Sequence, residues 1–158
     1  MQETFTQHLP VAREVLFAFH EDPAHLIDLL SGWKYSRVVK HEGHIRAGAR
    51  LDIIEHVGPF RVPLTFEHTL YDPPSRFGEH QVEGPFLVFE HVHEFESTSD
   101  GTAIHDHVRI ELPLWKGGEL AVRLFIRPRM VRFFAFRHAS LARLLQDGAI
   151  PGAGPCER

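Results

Sequence analysis

The sequence predicts an α+β domain: a curved antiparallel sheet of about seven strands around one long C-terminal helix. Three observations carry that expectation. A strand-like opening stretch leads directly into two short helical patterns. Six segments of strand character then follow, separated only by turn-forming residues. The last third of the chain switches to a helical period.

Taken in order, ETFTQHLPV can form the first strand. Pro10 then leads into VAREVLFAFHED, where Val11, Val15, Leu16 and Phe19 recur at helical spacing. Asp22 before Pro23 pairs an N-cap with a proline at the first helical position. A second short helix, PAHLIDLL, starts there and stops near Ser31-Gly32. From Trp33 the strand candidates are WKYSRVVKH, ARLDIIEHV, FRVPLTFEHTLY, RFGEHQVE, PFLVFEHVHEFES and TAIHDHVRIEL. Their short separators imply an antiparallel meander. After PLWKGGE, the run LAVRLFIRPRMVRFFAFRHASLARLLQDG is helical, with Pro128 interrupting it. Beyond that kink, Val131, Phe134, His138, Leu141 and Leu145 share a stripe that can be buried. A sheet of this length curls, and a helix across its concave side leaves a space, which is where a site is expected. Residues 1–147 form the expected single domain, and 148–158 a flexible Gly/Pro-rich tail.

Composition narrows the function classes. With 158 residues and 43% apolar content, the chain can bury one sizeable core. A net charge of -4 with scattered lysines and arginines offers no nucleic-acid footprint. The arginines of the last third, Arg123, Arg127, Arg129 and Arg132, read as a solvated face. The start MQETFTQHLP lacks a secretory pattern, and no apolar run reaches spanning length. A soluble, cytoplasmic protein without stable membrane insertion is therefore expected. Cys156 is the only cysteine, which leaves no disulfide frame and no thiolate metal cluster. There is no G-x-S-x-G serine, phosphate-cradling loop or dinucleotide fingerprint, so no cofactor is expected. The 13 histidines are the compositional oddity, because imidazoles ligate metals, move protons or complete hydrogen-bond networks.

The order of elements is carried by VLFAFHEDPAHLIDLL followed by Trp33, then EHQVEGPFLVFEHVHEF, GTAIHDHVRIELP and FFAFRHASLARLL. In this it resembles the START/Bet v 1-like (SRPBCC) superfamily with its helix-grip fold. Within it the chain looks like the bacterial polyketide cyclase/dehydrase-like and ligand-binding members. The resemblance runs from Glu3 to Leu145 and implies a deep apolar cavity between sheet and C-terminal helix. It names no ligand, because the superfamily holds lipid carriers, cyclases, hormone receptors and chaperones on one fold.

Strand alternation assigns the cavity wall. In PFLVFEHVHEFES, Leu87, Phe89, His91, His93 and Phe95 share one face, and Glu90, Glu94 and Glu96 share the other, so the histidines point inward. In TAIHDHVRIEL the inward set is Ile104, Asp106, Val108, Ile110 and Leu112. In FRVPLTFEHTLY it is Val62, Leu64, Phe66, His68 and Leu70. A buried Asp106 needs a donor, and His91 or His93 on the neighbouring strand is the expected one. The H-x-H spacing puts two imidazoles about 6–7 Å apart at Cβ, close enough to share an ion, with Asp106 as a third ligand. Nothing reinforces that pattern, and no metal is assigned. Arg137, beside aromatic residues, is expected to pair with a surface glutamate rather than to clamp a ligand carboxylate.

The leading reading is a binding protein for a hydrophobic small molecule: lipid-like, aromatic or polyketide-like. Trp33, Phe66, Phe89, Phe95 and Phe134 would supply apolar wall, and His68, His91, His93, Asp106 and His138 would orient the polar end. Alternatives are a cyclase/aromatase or dehydratase with His91, His93 and Asp106 as catalytic residues, a metal-binding protein, or a protein-interaction module. A homodimer is compatible with all of these.

Overall fold

The computed structural model describes residues 1–153. Strand β1 (Gln2–Leu9) is followed by helices α1 (Arg13–Glu21) and α2 (Pro23–Leu29). Six strands come next: β2 (Ser36–His41), β3 (Arg50–Val57), β4 (Phe60–Asp72), β5 (Arg76–Glu83), β6 (Val88–Thr98) and β7 (Gly101–Glu111). One antiparallel sheet of seven strands results, ordered β1-β7-β6-β5-β4-β3-β2. It is the expected meander closed by the first strand, a helix-grip α+β fold. Asp22 caps α2 through its side chain, which accepts from the Ala24 N–H at 2.9 Å, with Pro23 in the first turn.

The run after β7 is helical without a break from Gly118 to Gln146, and the interruption expected at Pro128 is a wide π turn just ahead of it. A short turn (Leu114–Lys116) leads into α3 (Gly118–Ala121), a wide π turn (Val122–Ile126) and then α4 (Arg127–Gln146). Pro128 follows this π turn at the start of α4, and the wide turn accommodates the hydrogen bond that a proline cannot donate.

Several expected side-chain directions are corrected. A bulge between His68 and Leu70 shifts the β4–β5 register, so Tyr71 pairs with inward Phe77 and Leu70 stands opposite Gly78. Gly78 is needed there, because a Cβ would lie 2.9 Å from the Val92 side chain and 3.0 Å from the His91 carbonyl oxygen. Leu87 precedes β6 and is exposed, and Phe86 turns inward instead. Strand β2 begins at Ser36, so Trp33 sits in the turn ahead of it. On α4 the buried face is Phe134, Arg137, Ser140 and Leu141, whereas Val131 is exposed. The apolar stripe read from sequence is thus rotated, because the partner it must match on the sheet is a carboxylate.

The core forms around Leu9, Leu16, Phe17, Phe77 and Phe95, and Ile150 is buried in it. Ordered packing therefore continues past the expected domain end at 147 as far as Ala153. The rest of the expected tail, 154–158, lies outside the described residues. Among the described residues, no helix is long and apolar enough to cross a membrane.

Candidate functional site

Between the concave sheet and α4 lies a cavity of about 300 Å³. Leu26, Leu64, Phe66, Phe89, Phe133 and Phe134 supply much of its apolar wall. Phe66 and Phe89 meet edge to face at 5.0 Å, and Phe134 stacks on Phe5 at 4.2 Å.

The polar floor follows from two neighbouring rows across the sheet. In one, His68 pairs with Glu79, Glu79 with His91, and His91 with Val108. In the other, Phe77 pairs with His93, His93 with Asp106, and Asp106 with Phe5. Paired residues share a face, so these registers gather three imidazoles and two carboxylates inside the fold. Helix α4 adds Arg137 from above.

His91 bridges both acids. Its Nδ1 lies 3.1 Å from Glu79 Oε1, and its Nε2 lies 3.0 Å from Asp106 Oδ1. Both carboxylates accept, so both ring nitrogens donate, and the ring is an imidazolium. Burial alone would lower the His91 pKa, but Glu79 and then Asp106 outweigh it and push it up to about 9. Burial would likewise raise Glu79, and the His91 charge overrides it and holds Glu79 at about 2. Asp106 stays well below the usual carboxylate range: Arg137, His93, His138 and His91 overcome its desolvation. His93 is held down to about 4 by burial and by the charges of His91 and Arg137, so it is neutral. Its Nδ1, 2.6 Å from Asp106 Oδ1, therefore carries the proton and donates it, and Arg137 Nη2 at 3.4 Å from that nitrogen is a neighbour rather than a donor. Arg137 Nη1 reaches Asp106 Oδ1 at 3.4 Å. His20 donates Nδ1–H to the Leu16 carbonyl at 2.8 Å, and burial holds its pKa at about 3.

Of the residues picked from sequence, Phe66, His68, Phe89, His91, His93 and Phe134 line the cavity, as does Trp33. Asp106 sits behind the imidazoles as their common acceptor. His138 lies beside it, with Nε2 3.8 Å from Oδ2. Phe95 faces inward but packs into the core against Phe17 and Phe77, at 5.4 and 5.9 Å. Arg137 is buried in the ion cluster, not paired with a surface glutamate; the rotation of α4 puts it there. Glu79 was not visible in sequence because neither face of RFGEHQVE is apolar; only the lone Phe77 marks the inward side.

Glu79, His91 and His93 offer three ligand atoms within 4.8 Å of one another, the right donor types for a divalent ion. The set fits poorly. Both nitrogens of His91 already engage carboxylates, so an ion would have to expel its proton, and Arg137 stands beside His93.

A second polar group lines the other end. Glu55 pairs with Val62, six residues along β4 from His68, which is roughly 20 Å of strand. There Arg129 of α4 binds Glu55 and the carbonyls of His56 and Tyr35 at 3.1 and 3.2 Å. Ser36 donates to Glu55 and accepts from the Trp33 indole at 3.1 Å.

Residues 9–135 match the family model described as polyketide cyclase / dehydrase and lipid transport. The chain belongs to this family. No curated protein sequence matches it. Among solved structures, the fold is similar to Ms6760 from Mycobacterium smegmatis, with a TM-score of 0.70 at 17% identity, covering 93% of this chain and 92% of that one. TTHA0849 from Thermus thermophilus gives 0.65 at 20% identity, with 90% and 99% covered. The ginseng major latex-like protein 151 from Panax ginseng gives 0.66 at 8%, with 89% and 94% covered. The polyketide cyclase/dehydrase-like family read from sequence is thus shown by the family match, and the helix-grip fold by the solved structures.

Proposed function

We propose that this protein binds a hydrophobic small molecule in the cavity, its apolar body among Leu64, Phe66, Phe89 and Phe133 and its polar end on the histidine floor. The observation that supports this is the division of the cavity: one apolar space with its buried ionisable groups gathered at one end. Native mass spectrometry of freshly purified protein tests it. A co-purifying hydrophobic molecule, lipid-like, aromatic or polyketide-like, is the expected result. A bare polypeptide mass together with no uptake of an apolar fluorescent dye would overturn the reading.

One observation favours a cyclase or dehydratase as the second reading. Neutral His93 lines the cavity with its proton-bearing nitrogen fixed by Asp106, which leaves the other nitrogen as a base. An imidazole held at about 4 is a weak base near neutrality, which is why binding stands first. Turnover of a linear polyketone lost in His93→Ala, with the fold intact, is what this reading expects; unchanged turnover removes His93 from any mechanism.

A further inference from the structure

We infer that the ligand carries a neutral hydrogen-bond donor, an alcohol or phenol hydroxyl, received between His68, Glu79 and His41. This rests on the binding reading above and narrows it to a ligand class.

The charges of the floor are complete, but its hydrogen bonds are not. Two carboxylates, Glu79 and Asp106, face two cations, the His91 imidazolium and Arg137, so the charges sum to zero. Yet both ring nitrogens of His68, Oε2 of Glu79 and Nδ1 of His41 have no hydrogen-bond partner among the described residues. All three side chains line the cavity. The His68 side chain is 3% exposed, and its ring lies 5.6 Å from that of His41. Buried polar groups in folded proteins are almost always satisfied, so a cluster of unsatisfied ones on a cavity wall points to a ligand.

The kind of ligand follows from counting protons. Burial keeps His68 neutral, with one N–H and one lone pair. The nearest use for its N–H is Glu79 Oε2, 3.6 Å from Nδ1, where a small shift makes the bond. What then remains, beside Nδ1 of His41, is the His68 Nε2 lone pair, which needs a donor. A carboxylate offers no proton and would add an unpaired negative charge beside Glu79; an ammonium would leave an unpaired positive one. A hydroxyl donates without disturbing the balance.

Three probes of matched shape separate these cases: naphthol, methoxynaphthalene and naphthoate, titrated into the full chain at neutral pH and followed by calorimetry. Naphthol should bind at least about tenfold tighter than methoxynaphthalene, with naphthoate weakest, since one satisfied buried hydrogen bond is worth about that factor. His68→Phe, which keeps a ring beside Phe77, should bring naphthol down to the methoxynaphthalene level. Equal binding of naphthol and methoxynaphthalene overturns the inference while leaving the binding reading intact. Tightest binding of naphthoate overturns it too, and assigns the floor to Arg137 as a carboxylate clamp. No binding by any of the three overturns the inference, and the binding reading falls with it only if native mass spectrometry and the apolar dye also find nothing. Should His68→Phe fail to fold, the rank order on the unmodified protein decides.

Discussion

Of the arginine–carboxylate pairs that join helix α4 to the sheet, two line the cavity region, Arg129–Glu55 at one end and Arg137–Asp106 at the other. By geometry the first is the better made: it is short, backed by two backbone carbonyls, and Arg129 lies 5.1 Å over the Tyr35 ring. The second is long, at 3.4 Å. Their surroundings reverse the ranking. Arg129 and Glu55 keep 27% and 20% of their side chains in water, Arg137 and Asp106 only 8% and 3%. Water can replace either partner of the first pair, whereas losing one partner of the second strands a charge in the interior. Contact length is therefore a poor guide to which pair holds the fold; access to water is the better one.

The sharpest test of that contrast is Asp106→Asn. It should destabilise the fold by about 3–5 kcal/mol, read from the urea midpoint, because Arg137 and the His91 cation lose their common partner. A loss under about 1 kcal/mol would mean that the floor is hydrated after all.

Next in size is the dependence on pH. His91, raised to about 9 from 6.5, contributes stability below its unfolded value that is lost as pH climbs from about 6.5 through 9. His93 and His20, lowered to about 4 and 3, act in the opposite sense: their contribution is present above about 6.5 and is lost as pH falls through about 4. The urea midpoint should therefore peak near pH 6.5 and fall on both sides. A flat profile between about pH 5 and 9 would contradict the assigned charge states.

The smallest effect belongs to Arg129→Met, which should cost about 1 kcal/mol or less by the same measurement. A cost matching that of Asp106→Asn would erase the distinction between the two ends.

Sequence reasoning reached the sheet face of this site better than the helix face. Period-two alternation needs only a few charged residues to orient a strand, and Glu90, Glu94 and Glu96 did so for His91 and His93. Asp106 was found by the same rule, as the polar member of an apolar face. Glu79 escaped because RFGEHQVE has no apolar side, and its direction is set by pairing with His68 and His91 on strands the sequence cannot align. Arg137 was misplaced for a related reason. A helix stripe read by hydrophobicity centres on its apolar residues, but α4 is turned to meet a buried acid. The bulge after His68, which exchanges Leu70 for Tyr71, likewise left no mark in composition.

The pairing of β1 with β7, from Gln2 opposite Arg109 to Leu9 opposite Thr102, has a consequence for how the protein is made. These contacts join residues about a hundred positions apart, and the closing entropy of such long loops slows folding. Strand β1, made first, has no partner until β7 exists, and Asp106 on β7 has no guanidinium until α4 docks. Docking of α4 brings Arg137 to Asp106 and so closes the ion cluster to water. Refolding should show a slow phase in which native fluorescence of Trp33, packed on Phe133 and Phe136 of α4, appears last.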